Sequence, residues 1–147
     1  GLEIAAIDSL GWDTHRNQGA ATGTQATNLA DYAQGIAALY TDLGPGYMQD
    51  TLILTMTEFG RTAKENASGG TAHGHSSSWS AIGGGVNGGI HGLWPGLSEQ
   101  NLNQGRYLEH TVDCRDIICE VIAGHLGQGF ALGSVMPGHV YQTVGFI

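Results

Sequence analysis

The chain is poor in charge, and poorest in positive charge. Of its 147 residues 12% are charged, about half the share usual in soluble domains. Only five are Lys or Arg, against 13 Asp or Glu, and the net charge is −8. Such a surface repels a phosphate backbone, which argues against nucleic-acid binding. No run of about 20 apolar residues exists, so no membrane span is expected, and no secretory signal peptide is present. No fixed-period repeat orders the 25 glycines, so collagen-like and solenoid architectures fail. No G-x-S-x-G elbow surrounds Ser76-Ser77-Ser78, which reads as loop polarity. The two cysteines, Cys114 and Cys119, fall on a helical segment about 140° apart around its axis, so a disulfide is not expected. An initiator Met is also lacking, and the chain opens inside an apolar run, as a piece of a longer protein would.

At this length one domain with a hydrophobic core is expected, spanning residues 1–147. Leu2 to Asp8 reads as a short buried strand. Leu29, Tyr32, Ala33, Ile36, Leu39, Tyr40 and Leu43 recur at three- and four-residue spacings, predicting a helix capped by Asn28 or Thr27 and ended by Gly44-Pro45-Gly46. Asp50 to Thr57 is rich in aliphatic and β-branched residues and predicts a central strand. Strand, helix and strand in that order form a βαβ unit, and so a mainly parallel α/β sheet flanked by helices. Glu58 to Gln104 is mostly glycine-rich loop, with a further short strand near Trp79 to Val86. Thr111 or Asp113 opens a second helix that stops at Gly127. Met136-Pro137-Gly138 marks a turn, followed by a last short strand.

Three clusters could carry chemistry. Asp13-x-His15 follows the first predicted strand and Glu58 follows the second, and open parallel sheets bind ligands beyond the carboxyl ends of strands. His73-x-His75 lies in a glycine-flanked loop. Residues at i and i+2 of an extended segment project to one side, so each pair could offer two ligands to one cation. Carboxylate with imidazole suits zinc, and also manganese or iron. Each cluster also has a plain structural reading: a loop hydrogen bond for Asp13, a Glu58–Arg61 pair, exposed loop histidines. His91, His110, His125 and His139 read as mainly structural.

The segments Gly11-Trp12-Asp13-Thr14-His15, Thr57-Glu58-Phe59-Gly60-Arg61-Thr62 and Gly70-Thr71-Ala72-His73-Gly74-His75, with Gly83 to Gly89 and Thr111 to Asp116, form an ordered pattern. It resembles the bacterial domain of unknown function 1501 family, within the alkaline phosphatase and sulfatase superfamily. The resemblance implies part of an alkaline-phosphatase-like sandwich with metals at strand ends. It implies Asp13, His15 and a histidine of the next loop, His73 before His75, as ligands of a divalent metal: zinc first, with manganese, iron or calcium as alternatives. Glu58 falls at a second metal position, where Phe59 replaces a ligating histidine, and Ala72 replaces an aspartate. Arg61 would steady an anionic oxygen. The implied protein is a periplasmic or extracellular hydrolase of small phosphate or sulfate esters. This chain would be its C-terminal portion, inactive without an N-terminal half that supplies the nucleophile. The alternative is a non-catalytic, metal-containing binding module.

Overall fold

The computed structural model describes residues 3–147. They form two compact units. The first comprises Gly1–Asp42 and Lys64–Ala72, the second Leu43–Ala63 and His73–Ile147.

In the first unit the dominant element is helix α1, Thr24–Met48, whose last residues belong to the second unit. It starts earlier than the Asn28 or Thr27 cap implies, because Asn28 donates its side-chain amide to the Gly11 carbonyl at 2.7 Å instead of capping. The edge of the Tyr32 ring meets Trp12 at 6.0 Å. The expected stop is present as a break: Gly44 takes φ 64° and ψ 174°, and Pro45 follows. The apolar stripe is only partly covered, since Leu29 and Tyr40 are each 49% exposed.

Residues 3–10 form no strand, and Ile4 and Ile7 are exposed. Gly1 and Leu2, at the start of that predicted strand, lie outside the described residues. An apolar run becomes a strand only where a neighbouring edge takes up its N–H and C=O groups, and none does so here among the described residues.

The second unit holds strands β1 (Leu52–Thr55) and β2 (Ser80–Gly83), which pair antiparallel with Leu52 opposite Gly83 and Thr55 opposite Ser80. A Cβ on Gly83 would lie 2.1 Å from the Thr51 carbonyl oxygen, so only glycine allows this approach. Strands β3 (Leu102–Asn103) and β4 (Tyr107–Leu108) form a hairpin whose turn puts Gln104 at φ 53° and Gly105 at φ 64°. The fold is therefore not the mainly parallel sheet sandwich that the βαβ pattern predicts. Among the described residues it has three α-helices and two antiparallel sheets of two strands each. The apolar pattern of β1 located a strand correctly. Its partner, β2, comes from the glycine-rich stretch and runs antiparallel to it.

Helix α2, Cys114–Glu120, starts at the expected Asp113, whose carboxylate accepts from the Arg115 backbone N–H at 2.9 Å. The Arg115 guanidinium meets the same carboxylate at 2.6 Å and holds its pKa well below the usual range. The helix runs into a wider turn, Val121–His125, and Gly127 at φ 64° ends it as predicted. The turn at Met136 is present, and a short helix α3, Leu132–Val135, precedes it. Both cysteines are free: Cys119 is buried, which pushes its thiol pKa up, while Cys114 is exposed.

The buried apolar residues are Met48, Leu102, Cys119 and Phe146. On α2, one turn apart, Asp116 and Glu120 are buried too, at 7% and 3% exposure. They bind the chain after His139, which forms no strand. Asp116 pairs with His139 at 2.7 Å and accepts from the Gln142 N–H at 2.9 Å. Glu120 accepts from the N–H groups of Val144, Gly145, Phe146 and Ile147, at 2.5 to 3.0 Å. Burial alone would raise the Glu120 pKa, but the four amides together outweigh it and lower it. The C-terminal segment is thus fastened to α2 by two carboxylates.

Candidate metal-binding residues

Asp13 and His15 belong to the first unit. Neither follows a strand. Two successive three-residue turns, Thr14 N–H to Trp12 O at 2.9 Å and His15 N–H to Asp13 O at 3.0 Å, fold the segment tightly. They bring His15 Nε2 to 2.9 Å from Asp13 Oδ1, with both side chains exposed. Between them Thr14 is buried at 7% exposure, and its hydroxyl donates to Gln18 Oε1 at 2.9 Å.

A second segment of the same unit clamps this turn. Asn66 donates its side-chain amide to the His15 carbonyl at 2.9 Å, while its own Oδ1 accepts from the N–H groups of Ser68 and Gly70. Asn17 and Gln18 donate backbone N–H groups to Ser68 and Gly69. Thr71 donates its N–H to the Thr14 carbonyl and its hydroxyl to Gln18. Gly70 is buried against the His15 backbone, where a Cβ would sit 2.3 Å from the His15 carbonyl carbon. The glycine of the Gly70-Thr71-Ala72 run therefore serves the close backbone approach that its position in the sequence implies.

The remaining candidates lie in the second unit. His73 follows Ala72 directly and bridges to Arg61 across a single antiparallel pair. Its ring stacks on Phe59, with centroids 3.8 Å apart and planes inclined by 14°. The Arg61 guanidinium lies 5.4 Å from the centre of the Phe59 ring. Phe59, expected only as the loss of a ligand, is thus a support for His73. Glu58 is exposed and lies beyond the end of β1, as predicted.

His75 has different partners. Its Nε2 is 3.2 Å from His110 Nδ1, and that nitrogen is 3.0 Å from Glu109 Oε1. Asn103 donates to Glu109 Oε2 at 2.8 Å, and this bond, with those from His110, lowers the Glu109 pKa. Sequence reasoning missed Glu109 and His110 as site residues, and took His110 as an accessory polar group. The signal available was the hairpin turn Asn103-Gln104-Gly105, which carries Glu109 back toward Asn103. Of the other histidines, His91 bonds the Asn87 carbonyl and His139 bonds Asp116, which are structural roles.

The second unit contains a cavity of about 1060 Å³. Glu58, Phe59, His75 and His110 line it, together with Trp79 and Trp94. Among the described residues no helix is long and apolar enough to cross a membrane.

The sequence model of the family described as "Protein of unknown function (DUF1501)" matches residues 1–144, and the chain belongs to that family. No curated protein and no solved structure matches it.

Proposed function

We propose that Asp13 and His15 hold a divalent cation, zinc in first place, and that the chain is the metal-carrying part of a phosphate- or sulfate-ester hydrolase. The observation that carries this reading is the clamped Asp13–His15 turn. A carboxylate and an imidazole are held together at the surface by buried Thr14 and by the Asn66 and Gly70 contacts. A donor pair of one carboxylate oxygen and one imidazole nitrogen suits zinc and tolerates manganese or iron. A bound ion supplies Lewis-acid polarisation of an ester oxygen.

The chain's own residues prepare this chemistry. Phe59 supports the His73 ring by stacking. Arg61, paired with His73 through the backbone, brings a planar cation suited to two-point contact with a phosphoryl or sulfuryl group. Glu58 offers a single carboxylate for a further cation. Phe59 beside it stacks on His73 and adds no ligand, which argues against a strong cation site at Glu58. The same observation supports the second reading, a non-catalytic module that keeps one metal and binds a ligand without turnover.

Elemental analysis of purified protein, with p-nitrophenyl phosphate and p-nitrophenyl sulfate as assays, separates the two readings. The hydrolase reading expects bound zinc, manganese or iron, one equivalent of which is lost in Asp13→Ala and in His15→Ala. It also expects ester hydrolysis by the full-length gene product that falls in Arg61→Ala. Metal without turnover supports the module. A metal content undiminished in both ligand variants sinks the assignment.

A further inference from the structure

We propose that His75 and His110 form a second cation site, within the second unit and independent of Asp13 and His15, for a d-block divalent ion. His75 Nε2 and His110 Nδ1 stand 3.2 Å apart, with ring planes at 73°. Two imidazole nitrogens bound to one tetrahedral zinc at about 2.0–2.1 Å are separated by about 3.3–3.4 Å along the tetrahedron edge. The contact, an imidazole–imidazole hydrogen bond as it stands, is close to that edge length, so a shared ion would replace the bridging proton.

The two rings come from distant parts of the sequence, 35 residues apart, and each is anchored by its neighbours. On one side Gly74 donates its N–H to the Gly60 carbonyl at 2.7 Å, and Ser76 donates its hydroxyl to the Leu108 carbonyl at 2.8 Å. On the other side His110 follows β4, and Glu109 is held by Asn103 and by the His110 N–H. Anchored backbones reduce the ordering cost of capturing an ion. Glu109 Oε1, 3.0 Å from the same His110 nitrogen, supplies the adjacent negative charge that offsets a dication.

The donor chemistry defines the ion. Two imidazoles with a carboxylate beside them select zinc, nickel or copper over calcium and magnesium, which prefer all-oxygen shells. Two protein nitrogens leave coordination positions for water or for a ligand oxygen. Both histidines line the 1060 Å³ cavity with Trp79, Ile90, Leu93 and Trp94. The class of ligand that suits this surround is an oxygen donor carrying an apolar or aromatic body.

The test is calorimetric titration of the chain with Zn²⁺ and Ni²⁺ in the Asp13→Ala/His15→Ala background, which removes the other proposed site. One saturable equivalent is expected to remain, unaffected by excess Ca²⁺ or Mg²⁺. Adding His75→Ala or His110→Ala is expected to weaken it by about tenfold or more. Substoichiometric Cu²⁺ on the unsubstituted chain should broaden the His75 and His110 imidazole NMR signals, a readout that needs no variant to fold. The proposal is overturned if that background shows no saturable binding while its circular dichroism stays native. Binding that ignores both histidine substitutions, or copper broadening that spares both rings, overturns it equally.

Discussion

Replacing Glu120 with Ala tests the device that fastens the C-terminal segment. The carboxylate is 3% exposed and accepts from four consecutive backbone amides, those of Val144 to Ile147. A hydrogen bond to a charged group contributes about 1.5 kcal/mol at the low end, so four at that value sum to about 6 kcal/mol. The half-buried amides of Val144, Gly145 and Ile147 regain water once the segment loosens, whereas that of buried Phe146 is stranded. The expected loss is therefore roughly 3–4 kcal/mol at neutral pH, a large share of the 5–15 kcal/mol typical of a domain. The folded-state pKa of Glu120 lies below its ordinary value of about 4.3, so its stabilisation is complete above that value. It is lost as pH falls through the folded pKa. Urea unfolding of both proteins, followed by Trp fluorescence at pH 7 and again near pH 3, reads the effect. The difference in stability should be large at pH 7 and shrink in acid. A difference under about 0.5 kcal/mol at pH 7, the range of an ordinary surface substitution, refutes the reasoning. So does a difference that does not change with pH.

Two further substitutions probe the other anchored elements. Gly70→Ala places a methyl 2.3 Å from the His15 carbonyl carbon, against backbone that has no side chain to move aside. It should cost about 1–3 kcal/mol in thermal melting and weaken zinc binding, and an unchanged melt would contradict the clamp. Asp113→Ala removes the cap of α2 and should cost about 1 kcal/mol, or about 2–4 °C in Tm. Because Arg115 depresses the Asp113 pKa, that contribution is present above about 3.9 and persists well into acid. A Tm difference that disappears at pH 4 would show that the carboxylate is not what caps the helix.

Features encoded by neighbouring residues were legible in the sequence. Asp113 as the start of α2, Gly127 as its end, the break at Gly44-Pro45 and strands β1 and β2 each follow from a local rule, and each is present. Features that depend on distant partners were not. The apolar run through Ile4 and Ile7 has the composition of a strand, but nothing in a composition names the edge that would pair with it. Asp116 and Glu120 occupy what reads as the polar face of α2, and they are buried because a segment 23 to 27 residues later supplies their donors. In the candidate site, the association of Asp13 with His15 was legible and its cause was not. Close turns make the pair, where an extended strand end was expected. His75 was assigned beside His73 on two-residue spacing, yet its partner is His110.

If Asp13 and His15 take a metal, the Asn66 clamp ties the order of folding to the order of its capture. Its bond to the His15 carbonyl closes a span of 51 residues, which costs roughly 3–4 kcal/mol of chain entropy before any contact repays it. The Asp13–Thr14–His15 turn is closed by local bonds, whereas its clamp waits for this distant contact. An ion that needs the clamped geometry would bind after the Asn66 and Gly70 contacts and hold that long closure shut. A cation at Asp13 and His15 would act on this unit as a removable cross-link, slowing its opening more than it speeds its formation.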